Sequence, residues 1–470
     1  MLAAARSSSV RLAAAAGTRT AATSGSSAAR RAFTTASADS IQVAAADDGA
    51  PVTTVTVALK AGPRYESAPG VAHALKSSFF KSTEKRSALA LIREVELYGG
   101  VLSSSLSKEH LLLTAEFLRG DDLRSLEYEL TTLDDFHHHA PRYLRDFFIP
   151  LLGEAVSQAS FRRHEFNEEV IPQVASEYEQ AIGNPLILGF DQLTQTAFRH
   201  RGVGASLFTS PIHPVSHAQT VAFARSAIAK NNLVVLGSGI DSGKLANLVS
   251  KSFSNVSGSG SVTKSASAYK GGEQRVPFAA PHGVAADKAH FFIGFEGAAT
   301  GAAPELAVLR AHLGGESSVK WSSGLSPLAQ LAAKDPSVQA SAFNLTFSDA
   351  GIFGAHVSAP SAKLTAAVKS VTAALKEAAS KISSEDLKKA IAKAKYDAAS
   401  SVESRAGSHE AVAGSLLESG KVATLEDTFK ALEGVSASSI SSAAEKVLKS
   451  KPTTVAIGDV NVLPYADEVL

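Results

Sequence analysis

The feature that most constrains this chain is that its second half repeats its first. Val52–Leu59 (VTTVTVAL) is rich in β-branched residues and alternates, which predicts a strand, and His290–Phe295 (HFFIGF) stands in the corresponding place. Leu102–Leu106 and His110–Leu118 alternate and predict a hairpin, and Ala340–Phe347 with Gly351–Val357 predict a second. Val234-Val235-Leu236-Gly237 returns as Val455-Ala456-Ile457-Gly458. Apolar residues at helical spacing run through Gly70–Phe80, Ala88–Tyr98, Leu144–Ala159 and Glu168–Ala181, and again through Pro304–Leu313 and Glu385–Glu403. The last of these opens on Ser383-Ser384-Glu385-Asp386, an N-cap with two acids at the positive end of the helix dipole. One supersecondary arrangement is therefore used twice. Helices set between strands that return to a largely antiparallel sheet predict an α+β fold, with each half packing its helices on one face of its sheet.

The halves meet at Ser254–Ala268 (SNVSGSGSVTKSASA), whose Ser/Gly composition predicts a linker. The expected domains are residues 45–253 and 269–470. At 470 residues and 45% hydrophobic composition, the chain has enough apolar surface for two such cores.

Composition narrows the chemistry. The absence of cysteine excludes disulfide scaffolds, thiolate metal sites and thiol nucleophiles. Lys plus Arg is 46 and Asp plus Glu is 45, so bulk charge does not favour nucleic acid. No stretch of about 18 apolar residues predicts a membrane span. The balance hides an asymmetry. Residues 1–38 hold Arg6, Arg11, Arg19, Arg30 and Arg31 without an acid, and 21 of those 38 positions are Ala or Ser. That is the composition of a mitochondrial targeting segment. Arg31-Ala32-Phe33-Thr34 fits a matrix-peptidase cleavage site, so residues 1–33 are expected to be removed and the mature chain to begin near Thr34.

Gly70-Val71-Ala72-His73-Ala74-Leu75-Lys76-Ser77, followed by Phe80-Lys81-Ser82-Thr83, resembles the signature of the pitrilysin-type peptidases. In that family the stretch carries H-x-x-E-H: two His one helical turn apart bind zinc, and the Glu polarises the metal-bound water. Here His73 holds the first His position, Lys76 the Glu position and Ser77 the second His position. The later helix that supplies the third ligand in the family aligns with Val174 at that position. The resemblance therefore implies a pitrilysin-like fold with a degenerate site, no catalytic residue, no metal and no cofactor.

Further stretches resemble the core-subunit branch of this family, which belongs to respiratory complex III, the ubiquinol–cytochrome c reductase. They include Ser341–Asn344, Ser348–Gly354, Ser401–Ser404, Gly272-Glu273 with Arg275, and Gly458-Asp459 with Asp467–Leu470. That branch implies a non-catalytic scaffold, peripheral on the matrix side of the mitochondrial inner membrane, in a dimeric multisubunit assembly. Its partners would be core protein 1, cytochrome b and the other complex III subunits. The alternative is a non-catalytic substrate-binding subunit of the mitochondrial processing peptidase. Gly314-Gly315-Glu316 stands where that subunit has a long glycine-rich loop, but the run here is short and broken.

Three other constellations carry less. His137-His138-His139 beside Asp134 and Asp135 lies in Arg124–Arg142, which reads as an insertion and a surface loop. His213 and His217 have ligand spacing, but Pro211 and Pro214 interrupt any regular helix. Gly237–Lys244 imitates a phosphate loop but is one residue short and lacks Ser or Thr after the Lys.

Overall fold

The computed structural model describes residues 33–119, 144–278, 288–315, 324–380 and 382–470. The expected targeting segment up to residue 32, the whole Arg124–Arg142 insertion with its histidine run, and Glu316 lie outside them.

The first half builds a sheet from β1 (Thr34–Ala38), β2 (Ile41–Ala46), β3 (Val52–Leu59), β4 (Val101–Leu106), β5 (Leu111–Leu118) and β6 (Leu233–Ser238), in the order β1-β2-β6-β3-β5-β4. The second uses β7 (Gly272–Pro277), β8 (Lys288–Glu296), β9 (Gln339–Thr346), β10 (Gly351–Pro360) and β11 (Thr453–Gly458), in the order β7-β11-β8-β10-β9. With β1 set aside, the two orders are the same. The parallel pairing falls in the same place in each, β2 with β6 and β7 with β11, and the other pairings are antiparallel. Two strands begin before residue 45, where the sequence places the start of the domain. β2 reads IQVAAA and does not alternate, because it lies between two strands and is buried on both faces.

Helices follow in matching order. The first half has α1 (Val71–Ser78), α2 (Ala88–Leu97), α3 (Arg145–Ser157), α4 (Ile171–Ile182), α5 (Pro185–Phe198), α6 (His217–Ala227) and α7 (Ser242–Ser252). The second has α8 (Pro304–Leu313), α9 (Pro327–Lys334), α10 (Ser361–Ser380), α11 (Ser384–Ser401), α12 (Arg405–Ser419), α13 (Leu425–Glu433) and α14 (Ala437–Lys449). Strand alternation sends Val43, Val55, Val57, Leu59, Leu111 and Leu113 into one core with α1, α3 and α7. Phe291, Ile293, Phe353 and Val357 do the same with α8, α10 and α14. Each half thus packs its own helices on one face of an α+β layer, as expected.

The opposite faces are covered by exchange. α12, from the second half, lays Val412, Ala413, Leu416 and Leu417 on Ala44, Ala58, Leu112, Val234 and Leu236 of the first sheet. α5, from the first half, lays Leu193, Ala197 and Phe198 on Phe292, Ile352, Val455 and Ile457 of the second. Local signals start and stop both helices. Asn184 caps α5 by accepting from Leu186 N and Ile187 N, and Pro185 follows at its first turn. Ser404 caps α12, which ends on Gly420 in the left-handed region at φ 71°. A Cβ at Gly189 of α5 would fall 2.1 Å from the Phe292 ring, so only glycine allows this approach.

Polar ties lock the junction. Arg64, fully buried, donates from Nη1 to Glu109 Oε1 (2.7 Å), Ser348 Oγ (3.0 Å) and Asp349 Oδ1 (2.8 Å). Glu109 lies in the β4–β5 turn and Asp349 in the β9–β10 turn, so the two repeated hairpins meet tip to tip on one guanidinium. The Ser254–Ala268 segment has no helix or strand. It is nevertheless fastened to both halves, through Lys230 N to Ser257 O (2.8 Å), Arg64 Nη2 to Ser265 O (3.1 Å) and Ser267 N to Asp349 Oδ2 (3.1 Å).

Candidate functional site

The positions that resemble the zinc signature lie on α1, whose amino-terminal end is held by two separate contacts. Glu66 accepts from Gly70 N and Ala72 N at 3.1 Å each, and burial pushes its carboxyl up to about 7. Gly70 sits at φ 84°, where a Cβ would meet Thr209 at 2.8 Å, and Thr209 Oγ1 donates to Gly70 O (2.8 Å). The Thr209 strap therefore presses on the start of the helix, beside His73.

His73 is 2% exposed. The Thr209 backbone N–H donates to its Nδ1 at 3.1 Å. A ring nitrogen that accepts carries no proton, so the proton is on Nε2, which donates to Glu177 Oε2 at 2.7 Å. Lys76 Nζ donates to the same oxygen, also at 2.7 Å, and Gln173 Nε2 donates to Glu177 Oε1 at 3.0 Å. Together these donors, the His73 hydrogen bond foremost, hold the Glu177 carboxyl down to about 2 against the opposing effect of burial. Ser77 is buried, and its Oγ has no hydrogen-bond partner among the described residues.

His73, Lys76 and Ser77 are therefore together on α1, as the signature requires, but Val174 is not the residue that meets them. Val174 is buried in the core of the first half. Glu177, three residues further along α4, provides the carboxylate. Residues three apart share a helix face, so spacing alone could not choose between them. The signal that could have found Glu177 is its charge, because Lys76 on the facing helix needs a counter-ion.

The arrangement does not suit zinc. The family's metal would sit among His73, Ser77 and the α4 carboxylate, and here the Lys76 ammonium is bonded to that carboxylate. Metal-bound His normally donates its other N–H to an acceptor, which leaves the coordinating nitrogen free. At His73 the order is reversed: Nδ1 is bonded to a donor and Nε2 carries the proton. Among the described residues no cluster of three or more His, Asp or Glu could hold a metal ion. The phosphate-loop look-alike is the turn between β6 and α7, and Asp241 Oδ1 already accepts from Gly243 N and Lys244 N at 3.0 Å each. His217 begins α6 behind the Ser216 cap, with His213 in the turn before it.

Two repeated α+β halves with this helix and its facing carboxylate define a class, the M16 peptidases and their inactive relatives. The chain belongs to that family: residues 42–210 match the profile described as Insulinase (Peptidase family M16), and residues 214–394 match the Peptidase M16 inactive domain. Within it, the chain is 41% identical to the cytochrome b-c1 complex subunit 2, mitochondrial, of Cryptococcus neoformans, over 92% of this chain and 93% of that one. It is 36% identical to the protein of the same name in Neurospora crassa, over 91% and 89%. The mitochondrial-processing peptidase subunit alpha-2 of Dictyostelium discoideum is 24% identical over 89% of each chain.

Proposed function

We propose that this chain is a core protein 2 type subunit of ubiquinol–cytochrome c reductase, a non-catalytic scaffold on the matrix side of the mitochondrial inner membrane. The observation that carries the absence of catalysis is the Lys76–Glu177–His73 cluster, which places an ammonium and a protonated imidazole nitrogen where a peptidase needs a metal and a base. The relatives named cytochrome b-c1 complex subunit 2 supply the assembly. No helix among the described residues is long and apolar enough to cross a membrane, so attachment runs through partner subunits, core protein 1 and cytochrome b. The targeting segment of residues 1–33 delivers the chain to the organelle.

Native electrophoresis of detergent-solubilised mitochondria tests this. The chain should co-migrate with haem and with the membrane-embedded subunits. Recovery in the soluble matrix, free of haem and bound to an active processing peptidase, would instead support the processing-subunit reading, which the likeness to the Dictyostelium protein favours.

A further inference from the structure

We infer that the fold clasps its own cleavage site, so that the bond between Phe33 and Thr34 is open to a processing peptidase only until α12 docks. This rests on the reading of residues 1–33 as a removed targeting segment, and the experiment below separates the two. Thr34 is the first residue of β1, the edge strand of the first sheet, and β1 pairs antiparallel with β2 from Thr34 opposite Ala45 to Ala38 opposite Ile41. Thr34 Oγ1 also donates to Ala45 O at 3.2 Å. Phe33 packs on the α12 cluster, its ring edge-on to His409 with centroids 5.9 Å apart. The His409 ring is itself fixed, bonded to Thr56 Oγ1 at Nδ1 and to Ser238 Oγ at Nε2, 2.8 Å each. The two residues flanking the cut are thus fastened from different sides, Thr34 by the first sheet and Phe33 by a helix of the second half.

Hydrolysis adds one water across this amide and leaves a Phe33 carboxylate and a Thr34 ammonium. An endopeptidase must take the residues on each side of the bond into its cleft, and a paired strand offers them only while it is open. The cutting rate of the folded chain is then the rate for the free segment multiplied by the open fraction. What holds β1 shut is assembled in stages. β1 and β2 are joined by Asp39 and Ser40, which have φ 48° and 69°, the positive values that a two-residue hairpin turn needs. Such a hairpin by itself is marginal in water and leaves the bond accessible. It becomes firm when β2 pairs with β6 and α12 settles on Phe33. Processing is therefore fast before the second half docks and slow afterwards.

The test uses the full-length chain and purified mitochondrial processing peptidase. The chain is presented once freshly diluted from urea and once after folding, and the new amino terminus is followed by mass spectrometry. The diluted chain should be cut between Phe33 and Thr34, and the folded chain at least tenfold more slowly. Asp39→Pro cannot take the positive φ of the turn and lies at the far end of β1 from the bond, so in the folded state it should be cut within about threefold of the diluted chain. Asp39→Gly keeps the turn and should stay protected. A folded parent chain cut as fast as the diluted one, or full protection in folded Asp39→Pro, would overturn the clasp. If Asp39→Pro does not fold, the two states of the parent chain decide the matter. A diluted chain left intact at this bond would instead defeat the reading of residues 1–33, and the clasp with it.

Discussion

Both halves tie the first helix after β3 or β8 to the second long helix after their hairpin, and the two ties differ in depth. In the first half, α1 meets α4 through His73 and Lys76 on Glu177 at 2.7 Å each, with His73 buried. In the second half, α8 meets α11 through Arg310 and Asp397 at 3.4 Å, with Arg310 40% exposed, and Lys393 adds a 3.5 Å contact on the same helix. The second half has no zinc signature, so its tie is purely structural. With Lys76 in the Glu position of the signature, the first half has the same kind of link. In the first half a helix clamp stands at the positions that resemble the family's metal site, and its place in the fold is the one its counterpart uses.

The largest effects test the exchange that joins the halves. Phe198→Ala on α5 and Leu416→Ala on α12 should each lower stability by about 2–5 kcal/mol in urea titrations, because both side chains are buried against the opposite sheet. A loss from only one of them would mean that the exchange is not symmetric. Arg64→Ala should cost about 3–5 kcal/mol, since it strands Glu109 and Asp349 without their shared cation.

A smaller effect separates the two clamps. Glu177→Gln should cost about 1–3 kcal/mol, as for a charged hydrogen bond lost at a mostly shielded site. Asp397→Asn should cost less than about 1 kcal/mol. Equal costs would erase the contrast in depth. Glu177 also gives the clamp a pH signature. Its carboxyl titrates at about 2 in the fold against an ordinary 4.5. The stabilisation is complete above about pH 4.5 and drains away as the pH falls toward 2, and Glu177→Gln should flatten that slope in thermal melts.

The smallest expected effect is none. Lys76→Glu with Ser77→His rewrites the signature around Glu177, yet the Thr209 N–H still binds His73 Nδ1 and keeps the proton on Nε2. No zinc should remain after dialysis, and adding Val174→Glu should not change that, because position 174 is in the core. Stoichiometric zinc in the double variant would show that the tautomer is not a barrier.

What could be read in advance follows from what alternation and periodicity encode. β3, β8 and the two hairpins declared themselves because each has one face in its own half's core. The repeat exposed the shared topology before any strand order was known. β2 was missed because burial on both faces erases alternation, and α5 because Gly189, Thr194 and Thr196 weaken helix propensity. Gly189 is there for the Phe292 ring, a partner about a hundred residues away that no local window includes. An apolar face on α12 similarly says that something is covered, but not which sheet. The degenerate site was half legible. His73, Lys76 and Ser77 are adjacent in sequence, whereas Glu177 and the Thr209 donor reach the site only through the fold.

The exchange of α5 and α12 also sets an order of events for a chain made, or threaded through a membrane, from its amino terminus. The first sheet is complete at β6, yet Ala44, Ala58, Leu112, Val234 and Leu236 stay bare until residues 405–419 arrive. α5 meanwhile forms before the strands it will cover exist. A half-emerged chain therefore presents a sticky apolar plane together with an unhoused helix, the kind of surface that aggregates or recruits a holdase. Neither half can reach its final state alone. Maturation is gated by the last third of the polypeptide, and a chain cut short at the junction should stay bound to chaperones instead of persisting as a smaller domain.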